Sequence, residues 1–221
     1  MNQSPVSAEH FPALSAQPGV VHGFTLRVPG LEMSHDKMEA LARLDGVHRE
    51  IRREHGLDRA PFITAQQIHG ASIGVVDQET AKDQSFDGCD GLITNQRQVC
   101  LGIYVADCCA VFIVDPVAGA LGLVHSGKKG TELGIAAHAI RSMGEHFGSR
   151  PADLIVQLSP CIRPPHYETD FAAEIVRQCR DLGVEAVHDC GVCTACDLNR
   201  YYSYRAEKGR TGRLLAFLAL Q

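Results

Sequence analysis

The chain contains no tryptophan, and aromatic residues make up only 6% of its 221 positions. Stacking platforms for unpaired bases are therefore scarce. A basic excess is also missing. The formal net charge is −5, opposite in sign to the footprint that nucleic-acid binding needs. No stretch approaches the roughly 18 uninterrupted apolar residues of a membrane span, and the polar N-terminal segment has no apolar leader core. These absences predict a cytoplasmic protein that binds neither nucleic acid nor membrane.

What is present fits one sizeable domain. Apolar residues reach 45% and charged residues 21%, the balance of a chain that buries a core. Nine cysteines without a secretion signal point to reduced thiols, metal ligands or a nucleophile rather than disulfides. Residues 1–18 show no period and read as a loose N-terminal arm, with residues 19–221 as the domain. Gly19–Arg27 reads as a strand. Met38, Leu41, Leu44, Val47 and Ile51 recur at helical spacing, predicting a surface helix that Gly56 stops. Phe62–Ile68 and Ser72–Asp77 read as strands, 78–90 as a polar loop. Gly91–Thr94, Val99–Val105, Val111–Val114 and Ala120–His125 are further strands. Thr131–Phe147 reads as a helix, Leu154–Leu158 as a strand, Phe171–Leu182 as a helix and Leu214–Leu220 as a closing strand. Strands come in runs with helices irregularly between them. That pattern predicts an α+β fold with mixed sheets, not a doubly wound parallel sheet.

Three segments each set a metal-ligating side chain at a strand end beside small residues. They are Gln67-Ile68-His69-Gly70, Ala106-Asp107-Cys108-Cys109 and His125-Ser126-Gly127. A rigid sheet holds side chains to the precision a metal demands. Gly70 and Gly127 let the chain turn away from the ligand. Two nitrogens and a thiolate suit zinc, and three protein ligands leave a fourth position open, as catalytic sites do. The same residues also suit a core thiol and two satisfied loop histidines. Spacing does not choose between the two.

QIHG at Gln67, DGLIT at Asp90, ADCCAVFIVDP from Ala106, HSGKKG from His125, SPCI at Ser159, and SYR and TGR between Ser203 and Arg213 occur in this order. Together they resemble the polyphenol-oxidase or laccase-domain family of zinc-binding purine nucleoside enzymes, over most of the chain from about Gly19. The resemblance implies a single-domain mixed β-sheet sandwich flanked by helices, with a cysteine-hydrolase-like fold. It implies zinc on His69, Cys108 and His125; copper, which outcompetes zinc at most nitrogen and sulfur sites, is expected to be accepted there in vitro. It implies phosphorolysis of adenosine, inosine, guanosine or methylthioadenosine, or adenosine deamination, with nucleoside and phosphate as small-molecule partners. A monomer or weak homodimer is expected. Some members act on a peptidoglycan precursor, so a Cys-His amide hydrolase is the alternative, with Cys108 as nucleophile and His125 as base. A family member that has lost turnover is a further one. A true multicopper oxidase is not expected, since none of the eleven histidines is spaced His-x-His.

The chain departs from the family pattern where His-Ala-Gly-Trp-Arg-Gly is usual. Here Lys128 stands at the Trp position and Lys129 at the Arg position. Relative to that pattern the chain also lacks a stretch between Pro29-Gly30 and the first helix and another after Tyr167. Arg27, Lys128, Lys129 and Arg205 are candidate anion contacts, with Lys129 and Arg205 lying in family motifs and ordinary surface charge the alternative. Lys129 is expected in a turn before a helix that starts near Thr131, where backbone N–H groups favour an anion. Gln67 is a candidate hydrogen-bonding amide. Asp107 is a candidate proton-transfer or orienting group. Cys190, Cys193 and Cys196 have C-x-x-C-x-x-C spacing and would need His188 or Cys179 to complete a second metal site. Cys161 is packing or pocket wall. His48-Arg49-Glu50 superficially matches part of a zinc-deaminase signature but reads as a solvated helix face.

Overall fold

The computed structural model describes residues 7–78 and 82–221. Its first elements are the short strand β1 (Ala8–Glu9), the helical turn α1 (Pro12–Ser15) and β2 (Val20–Thr25). Helix α2 (Lys37–Glu54) follows, then β3 (Phe62–Ala65), β4 (Ile73–Val76), β5 (Gln84–Phe86), β6 (Gly91–Thr94), β7 (Cys100–Val105), β8 (Cys109–Asp115) and β9 (Ala120–Ser126). After them come α3 (Lys128–Glu132), α4 (Ile135–Phe147), β10 (Ile155–Leu158), α5 (Phe171–Asp181), β11 (Ala186–Asp189) and β12 (Leu214–Leu220).

The strands form two six-stranded mixed sheets, ordered β1-β2-β12-β7-β3-β5 and β11-β10-β8-β9-β6-β4. Period-two alternation assigns each strand's two faces. In β12, Leu214, Ala216, Leu218 and Leu220 enter the core between the sheets, while Leu215, Phe217 and Ala219 face the cluster that also holds Ile51 of α2. In β8, Ala110, Phe112 and Val114 face the inter-sheet core, while Val111 and Ile113 meet α4 and α5. Both faces of the central strands are thus covered. This explains why β8, β9 and β12 read as continuous apolar runs and are buried throughout. The result is the expected α+β sandwich flanked by helices.

Helix α2 begins where Asp36 caps it, its carboxylate accepting from the Glu39 N–H at 2.8 Å. Gly56, at φ +72°, takes the chain out of the helix. The expected solvated face at 48–50 needs correcting: the His48 ring is buried beside Tyr104, 5.6 Å between centroids. Residues 1–6 lie outside the described residues. The rest of the expected loose arm is packed instead, with β1 paired to β2 and Phe11 and Leu14 in the core. Pro12 at the start of α1 leaves too short a helix for periodicity to reveal. The expected helix over 131–147 is two helices, broken at Gly134 with φ +72°. Strands β5 and β11 were not expected. Both are short edge strands that pair in parallel with one neighbour, so no core pattern marks them.

Candidate metal centre

The three candidate ligands come from loops or strand ends that the sandwich brings together. His69 lies in the β3–β4 connection, Cys108 in the two-sheet crossing between β7 and β8, and His125 near the end of β9. Register places His125 opposite Ala110, two residues after Cys108. The ligand atoms of His69, Cys108 and His125 all lie within 4.8 Å of one another. Positive φ at residues other than glycine is strained. Among the described residues it occurs at Gln67, His69, Gln98, Asp107 and Lys208. Three of these, Gln67, His69 and Asp107, line the same cavity of about 500 Å³. The strain gathers where side chains must point against the run of the chain.

Asp90 organises the group. It is fully buried just before β6. One carboxylate oxygen accepts from the His69 N–H at 2.8 Å, and the other from Ile68 and Gly70 at 3.1 and 2.7 Å. The Asp90 carbonyl accepts from the His125 N–H at 2.7 Å. Its carboxylate also lies 2.9 Å from His125 Nδ1. A carboxylate only accepts, so Nδ1 carries the proton and Nε2 is left for the thiol side. Carboxylate–histidine pairs of this kind orient metal ligands. Sequence reasoning read Asp90 only as part of a motif. The available signal was an acidic residue directly before the apolar run Gly91–Thr94.

Burial alone would raise the Cys108 thiol. The His125 charge, with hydrogen bonds from His125 and His69, outweighs it and brings the thiol down to about 6. Burial likewise lowers His125, but the Cys108 charge and the Asp90 hydrogen bond carry it up to about 9. The pair therefore favours thiolate beside imidazolium when no metal is bound. Gly127 makes room for the sulfur: a Cβ there would sit 2.6 Å from Cys108 Sγ. It also stands where the chain passes from β9 into α3, and neither it nor Gly70 takes positive φ.

The donor set fits zinc. Tetrahedral zinc keeps nitrogen and sulfur donors roughly 3.3–3.5 Å apart, so these side chains need close by only about an ångström. The His69 side chain is exposed and free to do so. Among the described residues this is the one group of three or more ligands so placed. Cys190, Cys193 and Cys196 form no such group with His188 or Cys179. Cys179, a residue of α5, is buried in the core, and so is Cys161, which packs in the same cluster.

The remaining expected residues divide. Gln67 lines the cavity, yet its amide is spent on Tyr104, donating to the carbonyl at 2.6 Å and accepting from the N–H at 3.0 Å. Asp107 faces the cavity with both oxygens engaged, by Thr194 Oγ1 at 2.8 Å and the Arg205 N–H at 2.7 Å. These bonds tie the Asp107 turn to the Thr194 and Arg205 segments. Arg205 lines the cavity, its guanidinium 4.8 Å from the centre of the Tyr167 ring. Arg27 is elsewhere, paired to Glu207 at 2.7 Å and stacked on Tyr202. Lys129 is exposed and does not line the cavity, whereas Lys128 does. The helix expected near Thr131 starts at Lys128 and is a single short turn. That start turns Lys129 outward. Lys37, Arg213 and Tyr204 also line the cavity and went unnoticed in the sequence as site residues. They come from a helix start and the approach to β12, far apart in the chain.

A family model described as multi-copper polyphenol oxidoreductase laccase matches residues 27–174 and 166–221. The chain is 30% identical to a purine nucleoside phosphorylase of Corynebacterium glutamicum over 184 residues, covering 72% of this chain and 74% of that protein. It is 28% identical to a purine nucleoside phosphorylase of Streptomyces griseus over 202 residues, covering 79% and 81%. The crystal structure of YlmD from Geobacillus stearothermophilus has the same fold, with a TM-score of 0.83 at 24% identity and coverage of 98% and 99%.

Proposed function

The chain belongs to the multi-copper polyphenol oxidoreductase laccase family, and from that premise we propose that it is a zinc-dependent purine nucleoside phosphorylase. The observation that carries the reading is the His69–Cys108–His125 group opening onto a cavity that has both aromatic and cationic walls. Relatives named purine nucleoside phosphorylase support it. In phosphorolysis a phosphate oxygen bonds to the ribose anomeric carbon, the carbon–nitrogen bond to the base breaks, and the proton of hydrogen phosphate ends on the purine.

His69, Cys108 and His125 would hold the metal, which when bound supplies Lewis acidity. Copper would compete for the same donors when added. Tyr167 and Phe171, 5.8 Å apart edge to face, supply an apolar wall for a purine beside the Arg205 guanidinium. Cations along the cavity supply the attraction that holds an anion against the sugar. Asp107 keeps the Arg205 segment in place, and Asp90 keeps His69 and His125 oriented.

The test is a nucleoside panel assayed with and without phosphate. Release of free base and ribose 1-phosphate, dependent on phosphate, supports the reading. Ammonia release without phosphate dependence replaces it with adenosine deamination. The paired thiolate and imidazolium of Cys108 and His125 favour one second reading, a Cys-His amide hydrolase. Full amide-cleaving activity in zinc-free protein would select it.

A further inference from the structure

Four basic side chains line the cavity, and they are not equivalent. Lys128 and Arg205 share the carboxylate of Glu168, at 3.6 and 3.2 Å. Lys37 and Arg213 form no ion pair among the described residues. Lys37 Nζ donates to the Gln66 carbonyl at 3.3 Å, which leaves two of its three N–H groups. Arg213 Nη1 donates to the Thr211 and Gly212 carbonyls at 3.2 and 2.9 Å, which leaves Nε and Nη2. Both side chains are half-buried. Burial holds both below their usual values, and the Arg213 charge lowers Lys37 further. Besides Tyr204 and Cys108, which also favour the charged form of Arg213, the carboxylates that act on the pair are Asp90 for Lys37 and Asp107 for Arg213. Both are already engaged, Asp90 by His125 and three backbone N–H groups, Asp107 by Thr194 and the Arg205 N–H.

Two half-buried cations that repel and keep free donors are an unbalanced arrangement unless an anion joins them. Their tethers place them well. Lys37 is bound to Gln66, three residues before His69. Arg213 precedes Leu214, which pairs with Val105 just before the Asp107-Cys108 turn. Each cation is thus tied to a segment carrying a candidate metal ligand.

We propose that Lys37 and Arg213 form the oxyanion subsite of the cavity and take orthophosphate as the attacking substrate. This rests on the phosphorylase reading. Arg213, held by two backbone carbonyls, presents a fixed fork to two phosphate oxygens, while Lys37 adds a point charge. Lys128 and Arg205, which share the Glu168 carboxylate, are left to the nucleoside.

The experiment uses zinc-loaded protein and the variants Lys37→Met, Arg213→Gln and Arg213→Lys. Orthophosphate binding is measured by calorimetry without nucleoside, and phosphorolysis is measured across phosphate and nucleoside series. In Lys37→Met and Arg213→Gln the phosphate Kd and KM should rise at least tenfold. The nucleoside KM should stay within about twofold and the zinc content should not change. Arg213→Lys, which keeps the charge and loses the fork, should fall between parent and Arg213→Gln. Phosphate binding that is absent in the parent, or equal in parent and variants, overturns the subsite. If the parent binds phosphate through this pair yet cleaves no nucleoside, the subsite stands and the phosphorylase reading fails. If phosphate-dependent cleavage is seen with unchanged phosphate KM in the variants, the reading stands and the subsite is overturned.

Discussion

His125 Nδ1 lies 2.9 Å from the carboxylate of Asp90, and both side chains are almost completely buried. The pair sets which ring nitrogen of His125 reaches Cys108. Asp90→Asn keeps the shape but can present an N–H to Nδ1, and it also weakens three backbone hydrogen bonds. Zinc affinity, measured by chelator competition, should fall roughly 10- to 100-fold, with partial loss of thermal stability. Unchanged affinity would show that His125 is oriented by the strand alone.

Gly127 is required by the sulfur. Gly127→Ala sets a methyl carbon 2.6 Å from Cys108 Sγ, inside van der Waals contact. We expect the fold to persist, since the residue lies at the junction of β9 and α3, but zinc content and turnover to drop by an order of magnitude or more. Metal analysis beside circular dichroism checks both halves.

As-purified protein should carry about one zinc per chain. His69→Ala, Cys108→Ala and His125→Ala should each strip it, because two ligands do not hold zinc tightly. Retention of full zinc in all three variants would place the metal elsewhere. Phenol oxidation, if seen, should be slow and depend on added copper.

Stability should decline as pH falls from about 6.5 to 4, partly through His22 and His48. Burial holds each ring down to about 4, below the 6.5 of the unfolded chain. Their neutral forms therefore stabilise the fold above 6.5, and that contribution is lost as pH falls through the folded values. At about 1.4 kcal/mol per pKa unit, each contributes at most ~3.5 kcal/mol. His22 Nε2 also accepts from the Phe11 N–H at 2.8 Å, a bond that protonation breaks. Urea titrations at stepped pH should show a shallower decline in His48→Leu than in the parent.

Lys129→Ala should leave the phosphate KM within about twofold, because the side chain is exposed and outside the cavity. A large rise would return Lys129 to the site and require α3 to rotate.

The sequence by itself determined the local elements with strong signals: the period of α2, the apolar runs of β8, β9 and β12, and the three ligand-bearing segments beside small residues. Each signal is local, since a strand covered on both faces must be apolar at every position. It could not determine edge strands β5 and β11, because these two, unlike the edge strand β4, bury no alternate side chains and so leave no pattern. Nor could it show that His48 turns inward, that Lys128 rather than Lys129 faces the cavity, or that Gln67 and Asp107 are engaged by the backbone. Those outcomes depend on rotation of a helical turn and on partners 37 to 98 residues away. Only the tertiary structure decided that Asp90, Lys37 and Arg213 belong with His69, Cys108 and His125. Sheet register sets their convergence, and register is a property of paired strands that no single segment carries.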